Sequence, residues 1–131
     1  MATIKRFEEI KVWQEAKRLA VMVYAMTRQG TFAKDFGLRD QIQRAAVSVS
    51  SNIAEGFSRS GNREFVNFLW IAKGSVAEVQ SQLHIAKEVG YVDDAHAHEI
   101  YECAEKCGVM IYKFIKSLQE SNVSGVKHLN T

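Results

Sequence analysis

Apolar side chains recur every three or four positions along most of this 131-residue chain. Between Phe7 and about Arg28 they fall at Val12, Trp13, Ala16, Leu19, Ala20, Val23, Tyr24 and Met26, with Glu15, Lys17 and Arg18 in the gaps. Such a repeat lays one apolar stripe along a helix and predicts a first amphipathic helix. Residues 29–35, Gly30 among them, make a connection of ordinary length between antiparallel helices. After the turn cluster SRSGN at 58–62, a third stripe runs through Phe65, Phe68, Leu69, Ala72, Val76, Val79, Leu83, Ala86 and Val89 to Gly90. Either Ser60 or Asn62 could cap its first amides, and at 1.5 Å per residue this helix is roughly 40 Å long. Asp93 and Asp94 offer a cap for a fourth helix of similar length, carried by Ile100, Cys103, Ala104, Cys107, Met110, Ile111, Phe114 and Leu118.

The second stripe is less plain, because Val47-Ser48-Val49-Ser50 alternates as a half-buried strand does. Extending the register decides the matter. Leu38, Ile42, Ala45 with Ala46, Val49 and Ile53 are spaced by three or four, and strand alternation fails outside residues 47–50. A helix is therefore predicted, with Gly56 as its stop, since glycine accepts the left-handed conformation found at helix C-termini. On that helix Gln41, Arg44, Ser48, Ser51, Asn52 and Glu55 form a polar stripe opposite the apolar one. Ser75, Glu78 and Gln82, with Gly74, are the matching polar set on the third helix. Small hydroxyl-bearing residues let a neighbouring helix come close and hydrogen-bond across the contact. Two uses are open for the stripe. One is a structural or inter-subunit network; the other is a binding site in which Arg44 meets phosphate while Asn52 and Glu55 recognise a base or ligand.

Four amphipathic helices with short connections bury their stripes as an antiparallel up-down-up-down bundle, an all-α fold in one domain over residues 1–121. The composition agrees: 47% hydrophobic, 24% charged, and no proline to interrupt long helices. Residues 122–131 lose the period and read as a mobile tail. No stretch approaches the roughly 20 apolar residues of a membrane span, so a cytoplasmic protein with no membrane partner is expected.

Little in the chain points to catalysis. Ser48, Ser50 and Ser51 have no histidine at a useful spacing, and nucleophile-elbow, phosphate-loop, HExxH and paired CxxC motifs are absent. Cys103 and Cys107 are too few for a disulfide framework, and their four-residue spacing suits small apolar core residues. Among the four histidines, His96 and His98 point in different directions on a helix, and His84 and His128 stand apart. No enzyme, metal or cofactor is expected.

The charge is unevenly spread. Net charge is +2, yet residues 1–73 hold twelve Lys or Arg against seven Asp or Glu, while residues 74–131 hold five against eight, giving +5 and −3. A basic half can steer an anionic partner, and serves equally for head-to-tail contacts between subunits. Lys11, Arg18, Arg39, Arg59 and Arg63 are the candidate phosphate contacts if they converge on one surface. Phe57, just past the predicted Gly56 stop and near Arg59 and Arg63, either stacks on a base or folds over the end of the bundle.

Three segments, FEEIKVWQEA from Phe7, GLRDQIQRAAVSVSSNIAEGFSR from Gly37 and EFVNFLWIAKGSVAEVQSQLHIAKEVGY from Glu64, resemble the 23S rRNA intervening-sequence protein family. The resemblance extends from Phe7 to about Leu118. The family pattern usually reads SIPSNIAEG where this chain has SVSSNIAEG, so Ser50 stands in place of a proline and should leave the helix straighter. The resemblance implies a left-handed four-helix bundle assembled as a homopentameric ring. A related accessory protein of diversity-generating retroelements shares bundle and ring and binds nucleic acid and a reverse transcriptase, which by analogy makes RNA or DNA a partner. Five basic halves around a ring would let weak contacts add. The expected function is that of a non-catalytic, nucleic-acid-binding oligomer associated with RNA or rRNA. The alternative is an interaction scaffold or accessory subunit presenting a ring surface to a protein partner.

Overall fold

A computed structural model describes residues 3–59 and 61–121. Ser60 and the tail expected at 122–131 lie outside the described residues. Four helices account for most of the chain: α1 (Lys11–Thr27), α2 (Phe36–Ser58), α3 (Asn62–Glu88) and α4 (Asp94–Glu120), with no strand among the described residues. The alternating Val47-to-Ser50 stretch is inside α2, as its wider register requires.

The first predicted helix is divided. Phe7–Glu9 form a separate 3-10 turn, and Ile10 is extended at φ −75° and ψ 121° before α1 begins. Ile10 is fully buried, and Gln14 Nε2 closes the corner by donating to the Glu8 carbonyl at 2.8 Å. Its burial keeps the apolar period running through the break, so the pattern alone could not reveal it.

The connection after α1 is also more ordered than expected. Gly30, at φ +56°, opens a second 3-10 turn over Gly30–Lys34. Phe32 in that turn is fully buried and stacks on Tyr91 at 4.9 Å. Asp35 then caps α2 by accepting from the Leu38 amide at 3.1 Å and from the Tyr91 hydroxyl at 2.7 Å. Those two donors hold the Asp35 carboxyl below the usual carboxylate range. One aspartate therefore ties the start of α2 to the connection between α3 and α4.

Two helix ends differ from expectation for stated reasons. Gly56 does not stop α2, which continues to Ser58. A Cβ at Gly56 would lie 2.7 Å from Phe68 Cβ and 2.9 Å from Phe65 Cδ1, so glycine is there for close approach of α3. The bend falls at Gly61, at φ +90°, which precedes α3 without any side-chain cap. Asn62 turns its Nδ2 to the Leu118 carbonyl of α4 at 3.5 Å instead of capping. Elsewhere the signals act as their chemistry dictates: Gly90 at φ +85° closes α3, and Asp93 accepts from the His96 amide at 2.8 Å to open α4.

The helices pack in a closed cycle, α1 on α2, α2 on α3, α3 on α4 and α4 on α1. The core they enclose includes Phe65 and Phe114, fully buried and edge-to-face at 5.2 Å, with Leu19, Ile42, Ile53, Leu69, Leu83, Ile111 and Ile115. Each such side chain contributes about 1.5–3 kcal/mol by leaving water. Cys103 and Cys107 are buried free thiols, in keeping with small core residues.

Candidate nucleic-acid interface

Part of the polar stripe folds into the seam between α2 and α3. Ser48 Oγ and Ser75 Oγ share a hydrogen bond of 2.9 Å, and Asn52 Nδ2 donates to the carbonyl and hydroxyl of Ser48 at 2.8 and 2.9 Å. About two turns further along, Gln82 Nε2 donates to Gln41 Oε1 at 3.1 Å. Ser75 and Gln82 are buried, which no single-helix pattern could announce. The remaining members stay out of this network. Glu55 is exposed and pairs with Arg59 at 3.0 Å, while Arg44, Ser51 and Glu78 are exposed and have no hydrogen bond or ion pair with another described residue.

The candidate cations are dispersed. Arg59 and Arg63 flank the turn between α2 and α3, with Arg59 lying over the Phe68 ring at 5.4 Å. Lys11 is exposed at the first position of α1. Arg18 belongs to the α1–α4 side, 2.9 Å from Glu15 and 3.7 Å from Cys103 Sγ. Burial pushes the Glu15 carboxyl up, but the Arg18 hydrogen bond and the Lys106 charge outweigh it and leave it below the ordinary range. Arg39 sits at the start of α2, donating to Asp40 at 3.0 Å and to the Ala33 carbonyl at 2.9 Å.

Phe57 requires a correction. It is within α2, 6% exposed, and meets Phe65 edge-to-face at 6.1 Å, so it is a core residue and offers no ring to a base. Gly56 does not end the helix, so Phe57 keeps the α2 register and is buried.

An exposed aromatic among cations does exist, at Phe36. Its ring is 63% exposed and lies 4.6 Å from the Arg39 guanidinium. At the end of α1, Arg28 is over the Tyr24 ring at 5.9 Å. Tyr24 in turn lines an open cleft of about 520 Å³ with Asp40, Gln43, Arg44, Val47, Ser48 and Ser51. Gln43 braces its floor by donating to Thr27 Oγ1 at 2.8 Å. Phe36 begins a spacing of four, four, three and four through Asp40, Arg44, Val47 and Ser51, which a search for outward faces would have found.

No group of three or more His, Cys, Asp or Glu is placed to hold a metal ion among the described residues, and no described helix is long and apolar enough to cross a membrane. The fold is an all-α four-helix bundle, with Phe36, Arg44, Arg59 and Arg63 exposed on its surface. Residues 8–113 match the family described as 23S rRNA-intervening sequence protein, and the chain belongs to that family. A solved structure from Bacteroides thetaiotaomicron, a protein with unknown function from the S23 ribosomal protein family, is similar at a TM-score of 0.73 and 22% identity. The match covers 80% of this chain and 98% of that one, and shows a shared fold. Comparison with curated proteins finds no match.

Proposed function

We propose that the protein is a non-catalytic, cytoplasmic nucleic-acid-binding oligomer, in which residues 1–121 form one antiparallel, up-down-up-down, left-handed bundle that assembles as a homopentameric ring. The antiparallel reading is supported by pairs of opposite numbering: Gln41 with Gln82 and Ser48 with Ser75 on α2 and α3, and Glu15 with Lys106 and Arg18 with Cys103 on α1 and α4. The family's name, with its reference to 23S rRNA, makes RNA the first anion to try.

The observation that carries the reading is how little of the basic charge is neutralised. Of the twelve Lys and Arg in residues 1–73, three (Arg18, Arg39 and Arg59) have a carboxylate within 4.0 Å among the described residues, leaving nine without one. Cations that are not spent inside the fold are available to phosphates, and each phosphate neutralised releases condensed counterions. The test is fluorescence anisotropy with labelled single-stranded RNA at two salt concentrations, alongside light scattering for mass. Affinity that falls steeply with salt in a stable oligomer is expected. No binding at low salt and micromolar protein would sink the RNA reading, and a monomeric mass would sink the ring.

A scaffold is the second reading, and α3 favours it. Trp70, Ile71, Ile85 and Val89 are about half exposed, at 45%, 54%, 50% and 57%, on the outward side of that helix. Exposed apolar groups at that density suit a protein contact.

A further inference from the structure

We infer that the outward face of α2, from Phe36 to Ser51, together with Tyr24 of α1 and Arg28 just past its end, is a track for single-stranded nucleic acid. Bases stack on Phe36 and Tyr24, and phosphates meet Arg28 and Arg44, while Arg39 stays with Asp40 beside the Phe36 ring. This rests on the nucleic-acid reading above and gives it a location and a strandedness.

The two aromatic rings each come with a guanidinium already over one face, 4.6 Å away at Phe36 and 5.9 Å at Tyr24. An aromatic ring accepts any base, and an arginine beside it can serve both the base face and the adjoining phosphate. Phe36 and Arg39 lie one to two turns from Arg44 on α2, and Tyr24 and Arg44 line the same cleft of about 520 Å³. At 1.5 Å per residue, the α2 face from Phe36 to Ser51 is roughly 20 Å long, the length of a short strand rather than of one small ligand.

Charge sets the sign of the ligand. Arg28 and Arg44 have no ion-pair partner among the described residues. Asp40 is the acidic group on the α2 face, and its carboxylate is taken up by Arg39 at 3.0 Å. The unneutralised remainder is therefore cationic, and Ser51 adds an exposed hydroxyl without a partner among the described residues. The contrast with α3 separates this face from a protein contact. There the exposed Ile71 and Ile85 flank Glu78, an acid with no partner among the described residues, which would repel a phosphate chain.

Phe36 and Arg44 are exposed, so substitution leaves the core intact. A labelled short oligouridylate and a duplex RNA of the same length are titrated into the wild-type chain, Phe36→Ala, Arg44→Ala and the Arg59→Ala, Arg63→Ala double variant, with light scattering and circular dichroism on each. Phe36→Ala should weaken the single strand about tenfold, the loss of one stacked base, and leave the duplex nearly unchanged. Arg44→Ala should weaken the single strand and flatten its salt dependence. Because Phe36 starts α2 beside Arg39, Arg44→Ala serves as the independent variant should Phe36→Ala lose helicity. Unchanged single-strand affinity in both variants, with loss in the Arg59 and Arg63 double variant, overturns the track while leaving nucleic-acid binding intact. Equal loss for duplex and single strand overturns the stacking, and a change of mass without a change of affinity means that a second copy covers this face. A wild-type chain that binds neither RNA overturns both this inference and the reading beneath it.

Discussion

The two sides of α2 carry similar residues and have opposite fates. On the side facing α3, Ser48 is joined to Ser75 and Asn52 donates to Ser48, and Gly56 has Phe65 and Phe68 where a Cβ would be. On the outward side, Ser51 and Arg44 have no partner among the described residues and border an open cleft. Serine is thus a packing residue at one position and a surface hydroxyl three residues later. What decides between them is the neighbour: a small side chain opposite another helix lets two backbones come together, and its hydroxyl must then be satisfied internally.

The sharpest way to break this comparison is Gly56→Ala. The added methyl would meet Phe68 Cβ at 2.7 Å, backbone-anchored and unable to swing away. A loss of about 2–3 kcal/mol is expected from overpacking, visible as a markedly lower melting temperature by circular dichroism. An unchanged midpoint would mean the seam is loose. Asn52→Leu comes next, removing the donor to the Ser48 carbonyl and hydroxyl, at about 1–2 kcal/mol in denaturant titration. Below that, Ser48→Ala and Ser75→Ala in a double-mutant cycle should show coupling of about 0.5–1.5 kcal/mol; additive effects would show that the 2.9 Å contact contributes nothing. The smallest effects belong to the outward side. Arg44→Ala, Ser51→Ala and Glu55→Leu should each stay within about 0.5 kcal/mol of wild type. A loss above 1 kcal/mol at Arg44 or Ser51 would erase the distinction between the two sides.

Helix number and most of the core were legible because the apolar period survives along each element. Val12, Ile42, Phe65 and Phe114 are buried where their registers put them. Legibility failed where one residue type admits two physical uses. Gly56 carried the signal of a helix stop and is instead a point of close contact, which needed knowledge of Phe65 and Phe68 across the seam. Phe36 is the converse, an apolar residue type that is 63% exposed beside Arg39, which its residue type does not disclose. The candidate cations illustrate a further limit. Arg18 and Arg39 are separated from Arg59 by the fold itself, and linear charge asymmetry holds no information on which faces they take.

The two buried thiols of α4 give the bundle a built-in clock. Cys103 Sγ lies 3.6 Å from Glu15 Oε1 and 3.7 Å from Arg18 Nη1, both on α1, and the Cys103 thiol beside it, with burial, pushes the Cys107 thiol above its ordinary range. Cys107 is fully buried and Cys103 is buried beside the exposed Arg18 side chain, so alkylation of Cys107 is expected to wait for an opening of the bundle. The rate of Cys107 labelling therefore counts openings of the bundle, and its dependence on denaturant distinguishes a local opening from whole-chain unfolding. Run with and without bound RNA, the same chemistry would time how far an event on the α1–α2 face travels to the opposite side of α1.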